Sequence, residues 1–183
     1  MFEAILLLIP IPFILFFGHG ALAQWLAIAS LLICLPGILV MRGGAPFVAT
    51  PKRTMDGMLR LAKIKPGETV YDAGCGDGRM VFAAARLGAK GIGFEMSVPT
   101  FVYAKLLSLF RRNTDIQFKN LWAQNYADAD VIFCYLLTDT MQKFQRTVWP
   151  TLKPGTRVVS HAFKFKDLAP DGEDSGAILY IKK

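Results

Sequence analysis

The chain has 183 residues, 53% of them hydrophobic, and a mean hydropathy of +0.37, high for a wholly soluble domain. Charge is unevenly spread: the first 41 residues carry only Glu3, whereas all 21 lysines and arginines lie from Arg42 onward with 13 of the 14 acids, leaving that part at +8. This excludes two large domains, a disordered chain and a disulfide-stapled mini-protein, and leaves room for one compact domain with a real core.

Residues 21–41 form an almost continuous apolar run without a charge. At about 1.5 Å per residue it can cross a hydrocarbon core of about 30 Å. An earlier run, 4–17, is shorter and contains Pro10 and Pro12, and Gly18-His19-Gly20 can turn between the two. The expectation is a transmembrane hairpin, or one span preceded by a re-entrant segment. A secretory signal peptide would need a basic start, where this chain has Glu3. Arg42, Lys52, Arg53 and Arg60 follow the second run, which predicts that the rest lies on the cytoplasmic side. The expected organisation is a membrane anchor over 1–41, a linker and pre-motif segment over 42–53, and a domain over 54–183.

Thr50-Pro51 reads as an N-cap and first helical residue, with Met55, Met58, Leu59 and Ala62 on one face of the helix that follows. A short strand, 69–72, leads into the glycine loop 74–78 and a helix stopped by Gly88. A second strand, 91–95, precedes a helix opened by Ser97 and Pro99, with Val102, Leu106, Leu109 and Phe110 on one face. Strands over 115–119 and 131–135 follow, then a helix capped by Thr138 that carries Met141, Phe144 and Val148. The last strands are 156–163 and 177–181. Alternation of strands and helices with short connections predicts a Rossmann-like, doubly wound α/β sheet, mostly parallel. The last two strands, with no helical pattern between them, predict an antiparallel hairpin at the edge.

The stretch Asp72-Ala73-Gly74-Cys75-Gly76-Asp77-Gly78-Arg79 follows a strand and opens a helix. A dinucleotide fingerprint, G-x-G-x-x-G, would need glycine where Arg79 stands. The spacing here is G-x-G-x-G with an aspartate two residues earlier, and Glu95 closes the next strand. This pattern resembles motif I of the class I S-adenosylmethionine (SAM) methyltransferases, in which the acid of the second strand binds the ribose hydroxyls. The Phe47-Val48-Ala49-Thr50-Pro51-Lys52 segment, the Gly-Asp-Gly-Arg ending and Val159-Ser160-His161 resemble one subgroup. It comprises the membrane-anchored protein-lysine methyltransferases related to the mitochondrial enzymes for the ATP synthase c-subunit and the ADP/ATP carrier. The resemblance covers about 45–161; Ala49, Ala73 and Cys75 depart from it where proline, leucine and serine are usual.

The resemblance implies SAM as cofactor, bound by Thr50, Asp72, Gly74, Gly76, Asp77, Gly78 and Glu95, with Asn120, Leu121 and Trp122 beside adenine. Trp122 reads equally well as a core residue, and Cys75 as a small loop residue rather than a nucleophile. The acceptor is read from the end of the fourth strand, Cys134-Tyr135-Leu136-Leu137. It lacks the [DN]-P-P-[YF] of amide and adenine methyltransferases and the Pro-Cys of cytosine-C5 enzymes. No metal-ligand cluster is evident, and three scattered cysteines and two histidines offer no zinc motif. Lysine remains by elimination, with Tyr135 as the candidate for orienting the amine. The expected function is methylation of a lysine on a membrane protein. A lipid or quinone methyltransferase and a non-catalytic SAM-binding sensor or assembly factor stay open. The +8 charge suits a domain held against an anionic leaflet or an ordinary solvated surface; without a basic-aromatic stripe, nucleic acid is not an expected partner.

Overall fold

The computed structural model describes residues 48–183, together with Gly20, Gln24, Trp25, Ile28 and Ala29. The expected spans over 4–17 and 21–41 therefore lie outside the described residues apart from those isolated positions. Among the described residues no helix is long and apolar enough to cross a membrane.

Seven strands form one sheet: β1 (Thr69–Ala73), β2 (Lys90–Glu95), β3 (Thr114–Phe118), β4 (Val131–Cys134), β5 (Arg157–His161), β6 (Gly172–Asp174) and β7 (Ala177–Ile181). Their spatial order is β3-β2-β1-β4-β5-β7-β6. The first five in this order are parallel, and β7 runs antiparallel to both neighbours. The antiparallel pair is as expected, but β7 lies inside the sheet and β6 forms the edge. Gly172-Glu173-Asp174 has no apolar alternation to announce a strand; it is held by pairing to the buried β7.

Four helices flank the sheet: α1 (Lys52–Ala62), α2 (Arg79–Arg86), α3 (Val98–Ser108) and α4 (Thr138–Thr147). Met58 and Ala62 of α1 and Met80 and Ala84 of α2 pack with Val70, Phe133 and Val159. Met141 and Phe144 of α4 pack with Tyr71, Ile132, Val158 and Tyr180. Both faces are covered, which is why β4 reads Val-Ile-Phe-Cys and is buried throughout. Helix α2 approaches β2 closely: a Cβ on Gly93 would meet Cys75 Sγ at 2.6 Å and Val81 at 2.9 Å. Arg157 fastens the end of α1 to the sheet, donating to the Lys63 carbonyl at 2.9 Å and pairing with Glu68 at 2.6 Å.

Three boundaries differ from expectation for physical reasons. Pro51 is extended (ψ 144°) and caps α1, so Thr50 stands one residue outside the cap, and Met55 N–H closes the first turn on the Pro51 carbonyl. Thr138 is the first residue of α4 and Leu137 its cap, without a side-chain bond. On α3, Val102, Leu106, Leu109 and Phe110 do share a face, but it points to solvent; the residues turned inward are Ala104 and Ser108, with Phe101 and Leu107 partly buried. Small side chains let α3 lie close to the sheet, leaving the large apolar ones outside.

Candidate active site

The register of the parallel strands builds the site. Gln117, Phe94, Ala73, Cys134 and Ser160 lie in one row across β3, β2, β1, β4 and β5. The next residue of each chain stands at the carboxyl mouth: Phe118, Glu95, Gly74, Tyr135 and His161. The strand order reverses between β1 and β4, the crevice where open α/β sheets bind ligands.

The loop from Gly74 to Gly78 is shaped by its glycines, each with positive φ. At Gly78 (φ 82°) the chain turns into α2, and a Cβ there would strike the Phe82 ring at 2.7 Å. Glu95 clamps the loop from β2: its carboxylate accepts from Gly76 N–H at 2.9 Å, Met96 N–H at 2.8 Å and Ser97 N–H at 2.7 Å. Such charge-assisted bonds fix the acid in one orientation. Arg79 clamps the loop from the other end. Its guanidinium forks onto both Asp77 oxygens, Nη2 to Oδ2 at 2.6 Å and Nε to Oδ1 at 3.0 Å, while Nη1 donates to the Thr50 carbonyl at 2.8 Å. Thr50, itself buried, is thereby tied to the loop that its segment was expected to close over.

Asp72 sits one row inside the mouth and is buried, with no hydrogen bond to its carboxyl among the described residues. Burial, then the charges of Glu95 and Asp77, push its carboxyl up to about 8. Three carboxylates around one glycine loop, one of them buried and unpaired, form a site short of positive charge. Asn120 accepts from Trp122 N–H at 3.0 Å and so caps the single turn Leu121–Ala123 after β3. Trp122 is partly buried against the core, with Lys143 Nζ 4.1 Å above its ring. Burial raises the Cys75 thiol well above its ordinary range, so it stays protonated and fits the role of a small loop residue.

On the other side of the mouth Tyr135 and His161 are in ring contact, centroids 4.1 Å apart, with Phe163 stacked on Tyr135 at 6.2 Å. His161 Nδ1 is buried without a hydrogen-bond partner, and burial lowers the imidazole's pKa. The imidazole is therefore neutral at pH 7. Sequence reasoning singled out Tyr135 but gave His161 no role, and it missed Arg79 as the link between Thr50 and Asp77. Both had a signal: a histidine ending a strand at the carboxyl edge, and an arginine where a dinucleotide loop would carry glycine.

The family model described as "ANTKMT methyltransferase domain" matches residues 72–172. The chain belongs to that family. A protein-lysine N-methyltransferase of Saccharolobus islandicus (strain REY15A) is 33% identical over 132 residues, 68% of this chain and 81% of that protein. The lysine N-methyltransferase of the ATP synthase c-subunit from Rattus norvegicus is 26% identical over 130 residues, 69% of this chain but only 59% of the rat protein. Among solved structures, an RNA methyltransferase from Salinibacter ruber in complex with S-adenosyl-L-homocysteine superposes with a TM-score of 0.67 at 34% identity. That match covers 73% of this chain and 91% of the other. The family assignment spans the glycine loop, the Glu95 clamp and the Tyr135–His161 pair.

Proposed function

We propose that the chain is a SAM-dependent protein-lysine N-methyltransferase acting on a membrane protein, anchored through its first 41 residues with the domain on the cytoplasmic side. The observation that carries this reading is the row at the mouth. It sets a glycine loop short of positive charge beside a neutral His161 and the ring of Tyr135, on either side of the β1–β4 crevice.

The residues fit the cofactor by their chemistry. SAM carries a sulfonium and an ammonium, and the unpaired Asp72 among acidic neighbours suits a cation. When bound, the cofactor supplies a methyl group already activated for transfer. The chain's own work is positioning and removal of a proton. Glu95 offers the acceptor for ribose hydroxyls, and Asp77, Arg79 and Thr50 hold the loop and pre-motif segment together. Asn120, Leu121 and Trp122 are assigned to the adenine side. Tyr135 offers an aromatic face to the incoming ammonium, a cation–π contact. His161 accepts the proton that the ammonium must lose before its nitrogen has a lone pair.

Support for lysine comes from the Saccharolobus and rat relatives, whose names give lysine as the acceptor. Support for the membrane comes from the uncharged run 21–41 followed by Arg42, Lys52 and Arg53. Confinement to one membrane would raise the acceptor's effective concentration.

The test is transfer from methyl-tritiated SAM by the full chain in detergent, with membranes and total RNA from cells lacking it. Label on a discrete protein band, released by hydrolysis as methyllysine and absent with Glu95→Ala, is the expected result. Label in the organic phase would replace lysine by a lipid or quinone. Label on RNA would favour the activity named for the Salinibacter protein. Cofactor binding without transfer would leave a sensor or assembly factor.

A further inference from the structure

We infer that the outer face of α3, with the neighbouring end of β3, is a surface that lies on the anionic leaflet of a lipid bilayer. This deepens the membrane placement proposed above and rests on it.

Helix α3 is apolar nearly all round, a pattern that belongs to buried helices. Yet only its small-residue side is covered. Val102, Tyr103, Leu106, Leu109, Phe110 and Phe118 are exposed, Leu109 at 68% and Phe110 at 86%. Along α3 and the turn after it they recur at i, i+1, i+4, i+7 and i+8, one continuous stripe. Exposed apolar residues scattered singly need no explanation; a contiguous stripe beside a charged rim marks an interface.

Charge selects the occupant. Arg111 and Arg112 follow Phe110 directly, Lys119 follows Phe118, and Lys105 lies within α3. The acid at this edge, Asp115, is engaged by Lys105 at 3.5 Å and by Gln117. Bulky apolar side chains fringed by cations match a bilayer's acyl region and its anionic headgroups. The chain's own segment 4–41 could cover the apolar stripe, but it has no charge to meet the cations. An apolar protein partner has the same deficit.

The face also suits the site. Helix α3 leaves the mouth at Ser97, two residues after Glu95, and descends the β2–β3 side of the sheet. A domain resting on α3 keeps its mouth at the lipid boundary, within reach of a lysine just outside the hydrocarbon.

The experiment uses the full chain reconstituted in vesicles containing a phospholipid with a photoreactive diazirine on its acyl chain. Vesicles of phosphatidylcholine alone are compared with vesicles that also contain phosphatidylserine. Adducts are mapped by mass spectrometry. The expected result is adducts on residues 102–110 in addition to 1–41, with more of them in the anionic vesicles. Leu109→Asp with Phe110→Asp should remove the α3 adducts and leave those on 1–41; both side chains are exposed, so folding is checked by unchanged SAM affinity. Arg112→Gln with Lys119→Gln should cut the anionic-lipid enhancement by up to about fivefold per cation. Adducts confined to 1–41 would overturn this inference and leave the anchor standing. Crosslinks from α3 to 1–41 or to a second chain would also overturn it. No adducts anywhere would remove the membrane placement itself.

Discussion

On the β1–β2 side of the mouth, charged groups are held in place by backbone. Glu95 takes three N–H groups, and Arg79 ties the Asp77 carboxylate to the Thr50 carbonyl. On the β4–β5 side there is no such net. Tyr135 and His161 touch through their rings, and His161 Nδ1 has no hydrogen-bond partner. The first arrangement suits a cofactor that is the same at every turnover, for which a rigid, preorganised loop costs least to fill. The second suits a cationic side chain that must arrive, lose a proton and leave.

If the two sides divide the work in this way, damage to one should spare the other. The largest effect is expected from Glu95→Ala. Losing the acceptor of three backbone bonds frees the loop as well as removing the acid, and charge-assisted bonds contribute about 1.5–3 kcal/mol each. SAM affinity measured by calorimetry should fall by about 100-fold or more. A change of less than threefold would remove Glu95 from the cofactor side.

Next in size is His161→Gln, expected to lower kcat by about 100-fold, the range of a lost proton acceptor, with SAM affinity unchanged. Tyr135→Phe keeps the ring and should cost much less than Tyr135→Ala. Should SAM affinity fall in parallel with kcat in these variants, the two sides of the mouth do not act separately. A third, smaller effect belongs to Arg79→Lys. A lysine cannot hold both Asp77 oxygens and the Thr50 carbonyl in one plane, and about a tenfold loss of SAM affinity is expected with kcat at saturation little changed.

The same comparison explains what could be read in the sequence. Gly74, Gly76 and Gly78 are required by local backbone geometry, and Asp72 and Glu95 stand at fixed offsets from strand ends, so the cofactor side lies in one contiguous motif. The acceptor side joins Tyr135 to His161, 26 residues later, through the pairing of β4 with β5; only the register places them in one row. Strand β6 escaped because pairing to β7, rather than its own composition, makes it a strand. The α3 stripe was legible as a helical face, but period alone does not say which of two apolar faces meets the sheet. That was decided by Ala104 and Ser108, whose small size permits close approach.

The smallest effect in affinity is the most specific to Asp72. Its carboxyl is raised from 3.8 to about 8, chiefly by burial and then by Glu95 and Asp77. Between those values the folded, cofactor-free protein binds more protons than the unfolded chain, so its stability should fall as pH rises from about 4 to 8. Asp72→Asn should flatten that slope and raise the melting temperature at pH 8. A cationic cofactor favours the ionised carboxyl and reverses the shift. Binding at pH 7 should therefore release about one proton, visible as a calorimetric heat that changes with the ionisation enthalpy of the buffer. In Asp72→Asn the heat should be the same in every buffer. Equal heats in the wild type as well would mean that Asp72 stays protonated beside the bound cofactor, and the cofactor side would then owe its charge complementarity to Glu95 and Asp77 alone.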